Sequence, residues 1–403
     1  MTPNSRSAIS SAPRDEATPQ SSRRARRFVS IALQTALIAV VGGLVYAATR
    51  NAAQNLTDAH IVSGFAFWNN TAGFDISQTL IDYSPSTSSF GRAFWVGLLN
   101  TLLVAGLGIA FATILGFIVG VAQLSRNWLV AHLAAGYVGL IRNVPLLLQL
   151  LFWYNSVLVS LPQLRGSVAL PGGGILNNRG LFLPRPQVGP GFGYVVAAFG
   201  LALAAIALLR VWTRRRQDRT GEPGHLLWWA LVVTVGVPGI VFVLAGSPIS
   251  FSVPRMGHFN VVGGVEILPE LAALLLALSV YTAAFIAEVV RAGVLAVPQG
   301  QTEAAQSLGL RSGAMLRLVI VPQAMRIIIP PLTSQYLNLI KNSSLAVAIG
   351  YPDLVQVFGG SVLNLTGQAV EVIAITMAVY LAISLATSLV MNLYGYALAV
   401  EER

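Results

Sequence analysis

The chain has 403 residues, 55% of them hydrophobic and only 10% charged, with a mean hydropathy of +0.70. A soluble domain carries about 25% charged residues, so the composition excludes an ordinary soluble protein and points to several membrane spans. The formal charge is +10, carried almost wholly by arginine, and cysteine is absent, which excludes disulfide and thiolate chemistry.

Residues 1–27 are polar and rich in Ser, Pro and Arg, and are expected to be a disordered cytoplasmic tail ending in Arg23, Arg24, Arg26 and Arg27. The apolar run 28–48 follows at once. Basic residues before an apolar run also suit a signal peptide. This run of about 20 residues is long enough to span, however, and a signal's apolar region is usually shorter. It is therefore read as an uncleaved first helix. With the outer loop behind it, it makes up segment 28–93.

Seven further spans are expected at 94–123, 131–159, 191–211, 226–246, 268–293, 333–350 and 370–395, giving about eight in all. Lys341, Asn342, Ser343 and Ser344 interrupt the seventh of these eight. Eight crossings place both termini on the same side. The tail, Arg126, Arg214, Arg215, Arg216, Arg219, Arg311, Arg317 and Arg326 then fall inside, and Arg50, Arg92, Arg165, Arg179, Arg185 and Arg255 outside. The inner side is the denser, as the positive-inside rule requires. That rule accounts for the high charge. Nucleic-acid binding is not expected, because no basic patch carries interleaved aromatics.

Two outer loops stand out. The loop at 50–92 is polar but holds Phe65, Phe67, Trp68 and Phe74, which suits either a surface for a soluble partner or a linker with interfacial aromatics. The loop at 161–190 is dense in Pro and Gly and is expected to be irregular. A short echo links Ile141-Arg142-Asn143-Val144-Pro145-Leu146 with Ile340-Lys341-Asn342-Ser343-Ser344-Leu345, too little to mark an inverted repeat.

Several polar residues sit on or near apolar helices. Glu288 and Arg291, three apart, share one face of the sixth helix and read as a local ion pair or a gate contact. Arg142 and Lys341 are cations at membrane depth, which either meet a carboxylate on a central pathway or snorkel to the inner surface. Asn100, Gln149 and Asn338 either line that pathway or bond a neighbouring helix. Four histidines (His60, His132, His225, His258) are scattered without metal-ligand spacing, so neither metal nor cofactor is expected. The single lysine, Lys341, is followed by Asn342, so the Gly-Lys-Ser/Thr step of a phosphate loop is absent. Any dependence on ATP must come from a partner.

The segment 288–331 carries the most information. Pro298 and Gly300 are expected to end the membrane helix. Gln301–Leu308 is helix-prone, with Thr302 as N-cap, Glu303 at the positive end of the dipole and Gly309 as a left-handed terminator. Ser312 is expected to cap a second, amphipathic helix that Pro322 disturbs and that Pro330 and Pro331 separate from the next span. The small faces of Ala304 and Ala305 suit either a groove on another protein or a lipid surface.

Glu303-Ala304-Ala305, Gly309 and Pro322, at these spacings, resemble the "EAA" loop of permease subunits of binding-protein-dependent ABC importers. The stretches 281–301, 341–346 and 350–354, with Leu124-Ser125-Arg126-Asn127 and Arg142-Asn143-Val144-Pro145 upstream, resemble the polar amino acid branch of that family. The likeness covers about half of the chain. The long outer loops and the extra hairpin are similar to the enlarged permease subunits of general L-amino acid systems.

The resemblance implies an all-α polytopic membrane protein with a type I, MetI-like permease core of five helices. Its parts are 94–160 and 268–398, the latter with the coupling loop 295–332, around an insertion at 161–267 holding two extra spans. It implies a transport subunit with no catalytic site, in the bacterial inner membrane, with cytoplasmic termini. The implied partners are a homodimeric ATPase docking at Glu303, Ala304, Ala305, Gly309 and Pro322, a second and different permease chain, a periplasmic amino-acid-binding protein, membrane lipid and an L-amino acid. The alternative is an ion-gradient-driven secondary amino acid transporter, which calls for paired carboxylates or broken helices at the midplane of both halves.

Overall fold

The computed structural model describes residues 20–58, 64–220, 226–257 and 260–399. The chain divides into two units, Met1–Phe65 and Ala66–Arg403.

In the first unit a single helix, α1, runs from Gln20 to Asp58. Its apolar stretch Val29–Asn51 is long enough to cross a bilayer, and Leu33, Ile38 and Leu44 stand exposed around it, as on a lipid-facing helix. Of the tail expected to be disordered, residues 1–19 lie outside the described residues. Residues 20–27 differ from that expectation and form the first turns of α1. Ala25 and the four arginines are good helix formers, and extending a helix that already exists needs no new nucleus.

The second unit begins with a loop and helix α2, Phe90–Gln123, capped by the Ser89 side chain. Helix α3, Trp128–Arg142, is capped by Asn127 and stops at Asn143. The chain then bends by 102° into α4, Leu146–Leu151, which widens into a π-turn over Phe152–Leu158. The straight span expected at 131–159 is thus two pieces. Pro145 has no N–H to carry the ladder on. Gln149 Nε2 donates to the carbonyls of Ile141 and Val144, both at 3.0 Å, which satisfies acceptors freed by the break.

Residues 161–190 hold strands β1 (Val168–Leu170), β2 (Gly174–Asn177), β3 (Gly180–Leu183) and β4 (Arg185–Val188). The helices α5 (Phe192–Thr220) and α6 (Leu226–Leu244) follow, then β5 (Ile249–Ser252), β6 (Arg255–Met256), β7 (Val261–Val262) and β8 (Val265–Ile267). The sheet order is β1-β2-β3-β8, with β4 paired to β5 and β6 to β7, all antiparallel. About half of the loop expected to be irregular is therefore strand. Strands β1–β3 pair within it, while β3 and β4 also find partners beyond α5 and α6, as Leu181 does with Ile267, where local composition gives no signal.

The remaining elements are α7 (Pro269–Leu295), α8 (Gln299–Ser307), α9 (Ser312–Met315), α10 (Val321–Asn342), α11 (Leu363–Thr366) and α12 (Ala369–Ala399). Pro330 and Pro331 do not end a helix, as expected, but lie inside α10, within one apolar helical run from Ser312 to Ile349. Pro330 lines one groove with Arg326, and Pro331 another with Ile327. Prolines are tolerated in membrane helices where the freed i−4 carbonyls, here of Arg326 and Ile327, face a cavity or other polar groups. Among the described residues, six helices are long and apolar enough to span, or seven with the bent pair, against about eight expected. The shortfall falls on α6, whose apolar part Ala230–Leu244 is shorter than a full crossing.

The core is organised by α2 against α7. Val104, Gly108, Ala112, Gly116 and Gly120 recur every fourth residue and are all buried. Ala273, Ala277, Ala283, Ala284 and Ala287 of α7 are fully buried as well. Small residues let two backbones approach where lipid supplies no hydrophobic drive. A Cβ at Gly116 would lie 2.6 Å from Ile286, and one at Gly120 2.8 Å from the Ala287 carbonyl.

A second core caps one end. Phe67, Ile76, Phe90 and Phe94 pack on Leu354 and Phe358, with Trp68 at 5.1 Å from Phe94 and 5.9 Å from Phe358 between ring centroids. The aromatics of the loop at 50–92 are thus split. Phe67, Trp68 and Phe74 are packing residues, and only Phe65 stands exposed. Asn100 Nδ2 ties the loop to this core by donating to the carbonyls of Gln78 and Pro352 at 2.9 and 2.8 Å.

Candidate functional site: a protruding helix and a charged groove

Helix α8 begins at Gln299 behind Pro298, two residues earlier than expected. Thr302 is therefore not its cap, and Glu303 lies beyond the first turn. Pro298 fits the entry because the first backbone donors of a helix have no intrahelical partner. Gly309 ends the helix with φ of +72°, its N–H bonded to the Gln306 carbonyl at 2.9 Å and Leu310 N–H to that of Ala305 at 3.2 Å. Ser312 opens α9 but makes no side-chain cap.

The two alanines face opposite ways. Ala305 is buried at 3% exposure, whereas Glu303, Ala304 and Gly309 are exposed. Leu308 is 80% exposed beside them, an apolar knob that the sequence reading missed. Gln323 donates to Gln301 at 3.1 Å and so ties α10 to α8, while Pro322 sits exposed in the first turn of α10. The arrangement is a short helix seated on its Ala305 side and presenting Glu303, Ala304 and Leu308 outward.

The second feature is a pair of grooves that share Arg142 and Glu288. One, of about 390 Å³, lies between α7 and α10. The other, of about 490 Å³, lies between α3 and α7. Glu288 accepts from Arg291 through both oxygens, at 2.6 and 3.2 Å. Both side chains are about a third exposed, so this pair adds at most ~1 kcal/mol to stability. Arg142 stacks over Phe285 at 5.0 Å from the ring centroid. With Arg142 exposed, that cation–π contact is worth about 0.5–1 kcal/mol.

The other pathway candidates are elsewhere. Asn100 and Gln149 are buried and spend their amides on backbone carbonyls, which makes them packing residues in this arrangement. Lys341 is exposed in the last turn of α10, where a cation is favoured by the helix dipole, and Asn338 is exposed three residues before it. Neither lines the groove of Arg142. Phe285, Gln335 and Gln123, which do, escaped sequence reading, because on apolar helices nothing local marks a residue as facing a particular neighbour. Among the described residues no group of acidic, His or Cys side chains is arranged to hold a metal.

The family model described as "Binding-protein-dependent transport system inner membrane component" matches residues 108–399. The general L-amino acid transport system permease protein AapQ of Rhizobium johnstonii is 51% identical over 377 residues, covering 94% of both chains. The putative amino-acid ABC transporter permease protein YhdX of Escherichia coli K12 is 51% identical over 91% of this chain and 92% of its own. The glutamate/glutamine/aspartate/asparagine transport system permease protein BztB of Rhodobacter capsulatus is 42% identical over 94% and 95%.

Proposed function

The chain belongs to the family of binding-protein-dependent transport system inner-membrane components, and from that premise we propose that it is the permease subunit of an ATP-driven L-amino acid importer. Its relatives along nearly the whole length carry amino acid transport in their names, which supports the substrate class. The chain works in the bacterial inner membrane with both termini in the cytoplasm. It pairs with a second, different permease chain. A periplasmic binding protein delivers the amino acid, and a dimeric ATPase powers the cycle.

The observation that carries this reading is the geometry of α8. Glu303, Ala304 and Leu308 form an exposed edge, Gly309 sets the exit angle, and Gln301 with Pro322 and Gln323 joins the edge to α10. Closure of the ATPase dimer pushes on this edge and rotates α10 and its neighbours as rigid bodies, which alternates access to the pathway. Arg142 lies on that pathway, whereas Lys341, Asn338, Asn100 and Gln149 lie away from its grooves. The gradient-driven alternative calls for carboxylates that exchange a proton or cation, and Glu288 is already engaged by Arg291.

The test is co-purification of the tagged chain from native membranes in mild detergent. The chain has no cysteine, so Ala304→Cys gives a single exposed crosslinking point. Recovery of an ATPase crosslinked at that position, with a second permease chain, is expected. Recovery of this chain alone, with uptake that follows an ion gradient and ignores ATP, refutes the assignment.

A further inference from the structure

The two grooves that meet at Arg142 and Glu288 carry an excess of positive charge. Two guanidinium groups, Arg142 and Arg291, face one carboxylate, Glu288. Arg291 holds that carboxylate through both oxygens. Arg142 feels it electrostatically but, among the described residues, donates no hydrogen bond and rests only its face on Phe285. Arg142 is exposed in the last turn of α3 and lines both grooves, so its donors are open to an anion that enters them. A planar carboxylate is the shape that its fork fits best.

The rest of the groove is as informative. Glu288 keeps acceptor capacity beyond its two bonds to Arg291, since an ionised carboxylate has about four lone-pair sites. Gln335 of α10 lines the same groove and, among the described residues, makes no side-chain hydrogen bond. Both can accept from an ammonium group. Next to Glu288 along the same chain segment lie Ala292, Gly293 and Ala296, three small residues with no polar atom on their side chains.

Resting on the importer reading above, we infer that this groove is a subsite for the backbone of a free α-amino acid. The α-carboxylate lies in the fork of Arg142, the α-ammonium lies between Glu288 and Gln335, and the side chain lies against the small-residue wall. Recognition is spent on the two groups that every α-amino acid shares. The subsite therefore discriminates against molecules lacking either charge and discriminates little between side chains that fit about 390 Å³.

The test uses the purified complex of this chain with its permease and ATPase partners in nanodiscs. The binding protein is left out, so that its own selectivity does not enter. Binding of [14C]L-alanine is measured and competed with L-alanine, L-lactate, which lacks the ammonium, and L-alaninamide, which lacks the carboxylate. Both analogues are expected to compete at least about tenfold more weakly than L-alanine. Arg142→Gln is expected to raise the Kd for alanine by about tenfold or more and Arg142→Lys by less, because a lysine keeps the charge and loses the fork. Glu288→Gln is expected to remove most of the advantage of alanine over lactate. Stoichiometric co-purification of the ATPase with each variant shows that it has folded and assembled.

Arg142→Gln binding alanine normally in an assembled complex overturns the inference. So does competition by lactate or alaninamide as strong as that by alanine, or the absence of saturable alanine binding in the millimolar range. Each of these outcomes leaves the importer reading standing where uptake still requires ATP. A wild-type complex that never contains an ATPase refutes the importer reading itself.

Discussion

The close approach of α2 to α7 gives a prediction with an internal control. Gly116→Ala would place a Cβ 2.6 Å from both Cβ and Cγ2 of Ile286 and 3.1 Å from the Ala283 carbonyl oxygen. Gly120→Ala would place one 2.7 Å from Val290 Cβ and 2.8 Å from the Ala287 oxygen, a backbone atom that cannot swing aside. Carbon atoms rest about 3.5–4.0 Å apart, so either change must part the helices by roughly 1 Å. A gap of that size forfeits about a quarter to a half of the attraction at each contact along the seam. The expected cost is about 1–3 kcal/mol for each substitution. The double variant should cost clearly less than the sum, because one separation relieves both clashes. Gly106 lies on the same helix with nothing within 4 Å of its would-be Cβ, so Gly106→Ala should fall within ~0.5 kcal/mol of wild type. SDS-unfolding midpoints of the four variants in mixed micelles measure this directly. Gly116→Ala and Gly120→Ala as harmless as Gly106→Ala would refute the claim that backbone proximity holds the core together.

Gly309→Val should assemble with the ATPase yet lose coupling. Its Cβ meets open space, so the cost is the left-handed backbone alone, about 1–2 kcal/mol. Gly309→Asn should be milder, and stimulation of ATP hydrolysis by the binding protein reads the difference. Asn100→Leu leaves the Gln78 and Pro352 carbonyls unpaired in a buried setting, at about 1–3 kcal/mol each, and should lower thermal stability and expose the 64–89 loop to protease. Asp353, in the connection between α10 and α12, is buried, and burial raises its carboxyl from 3.8 to about 7 despite bonds from Gln356 N–H and Tyr380 O–H. A raised folded-state value means full stability below about pH 4, a decline up to about pH 7 and a plateau above. Thermal unfolding from pH 4 to 8 should show that slope, and Asp353→Asn should flatten it.

What was legible in the sequence was local. The helix ending at Gly309, the apolar runs and the pairing of Glu288 with Arg291 follow from spacing and residue type, and the structure has each. The small-residue repeat at Gly108, Ala112, Gly116 and Gly120 was equally local and went unread, because a search for polar residues passes over glycine. The bend at Pro145 was local too, made by the proline and the Gln149 amide, whereas the continuity of α10 through Pro330 and Pro331 and the pairing of Leu181 with Ile267 depend on partners distant in sequence. So does the meeting of Arg142 with Phe285. Among the site candidates, Glu303 and Ala304 on the exposed edge of α8 were expected, but the burial of Ala305 and the exposure of Leu308 were not. The groove could not be anticipated, since its walls come from three helices.

The contacts of Asn100 and Thr101 also bear on how the protein is made. Asn100 reaches the Pro352 carbonyl across 252 positions, and Thr101 Oγ1 receives Leu354 N–H at 3.0 Å across 253. A ribosome adds about 5–20 residues per second, so α2 waits roughly 10–50 s in the membrane before these partners emerge. Meanwhile the Asn100 amide lacks one of its two carbonyl partners. A chain cut short before Pro352 never acquires these two bonds, which leaves aborted products chemically distinct from finished ones and open to recognition by membrane quality control.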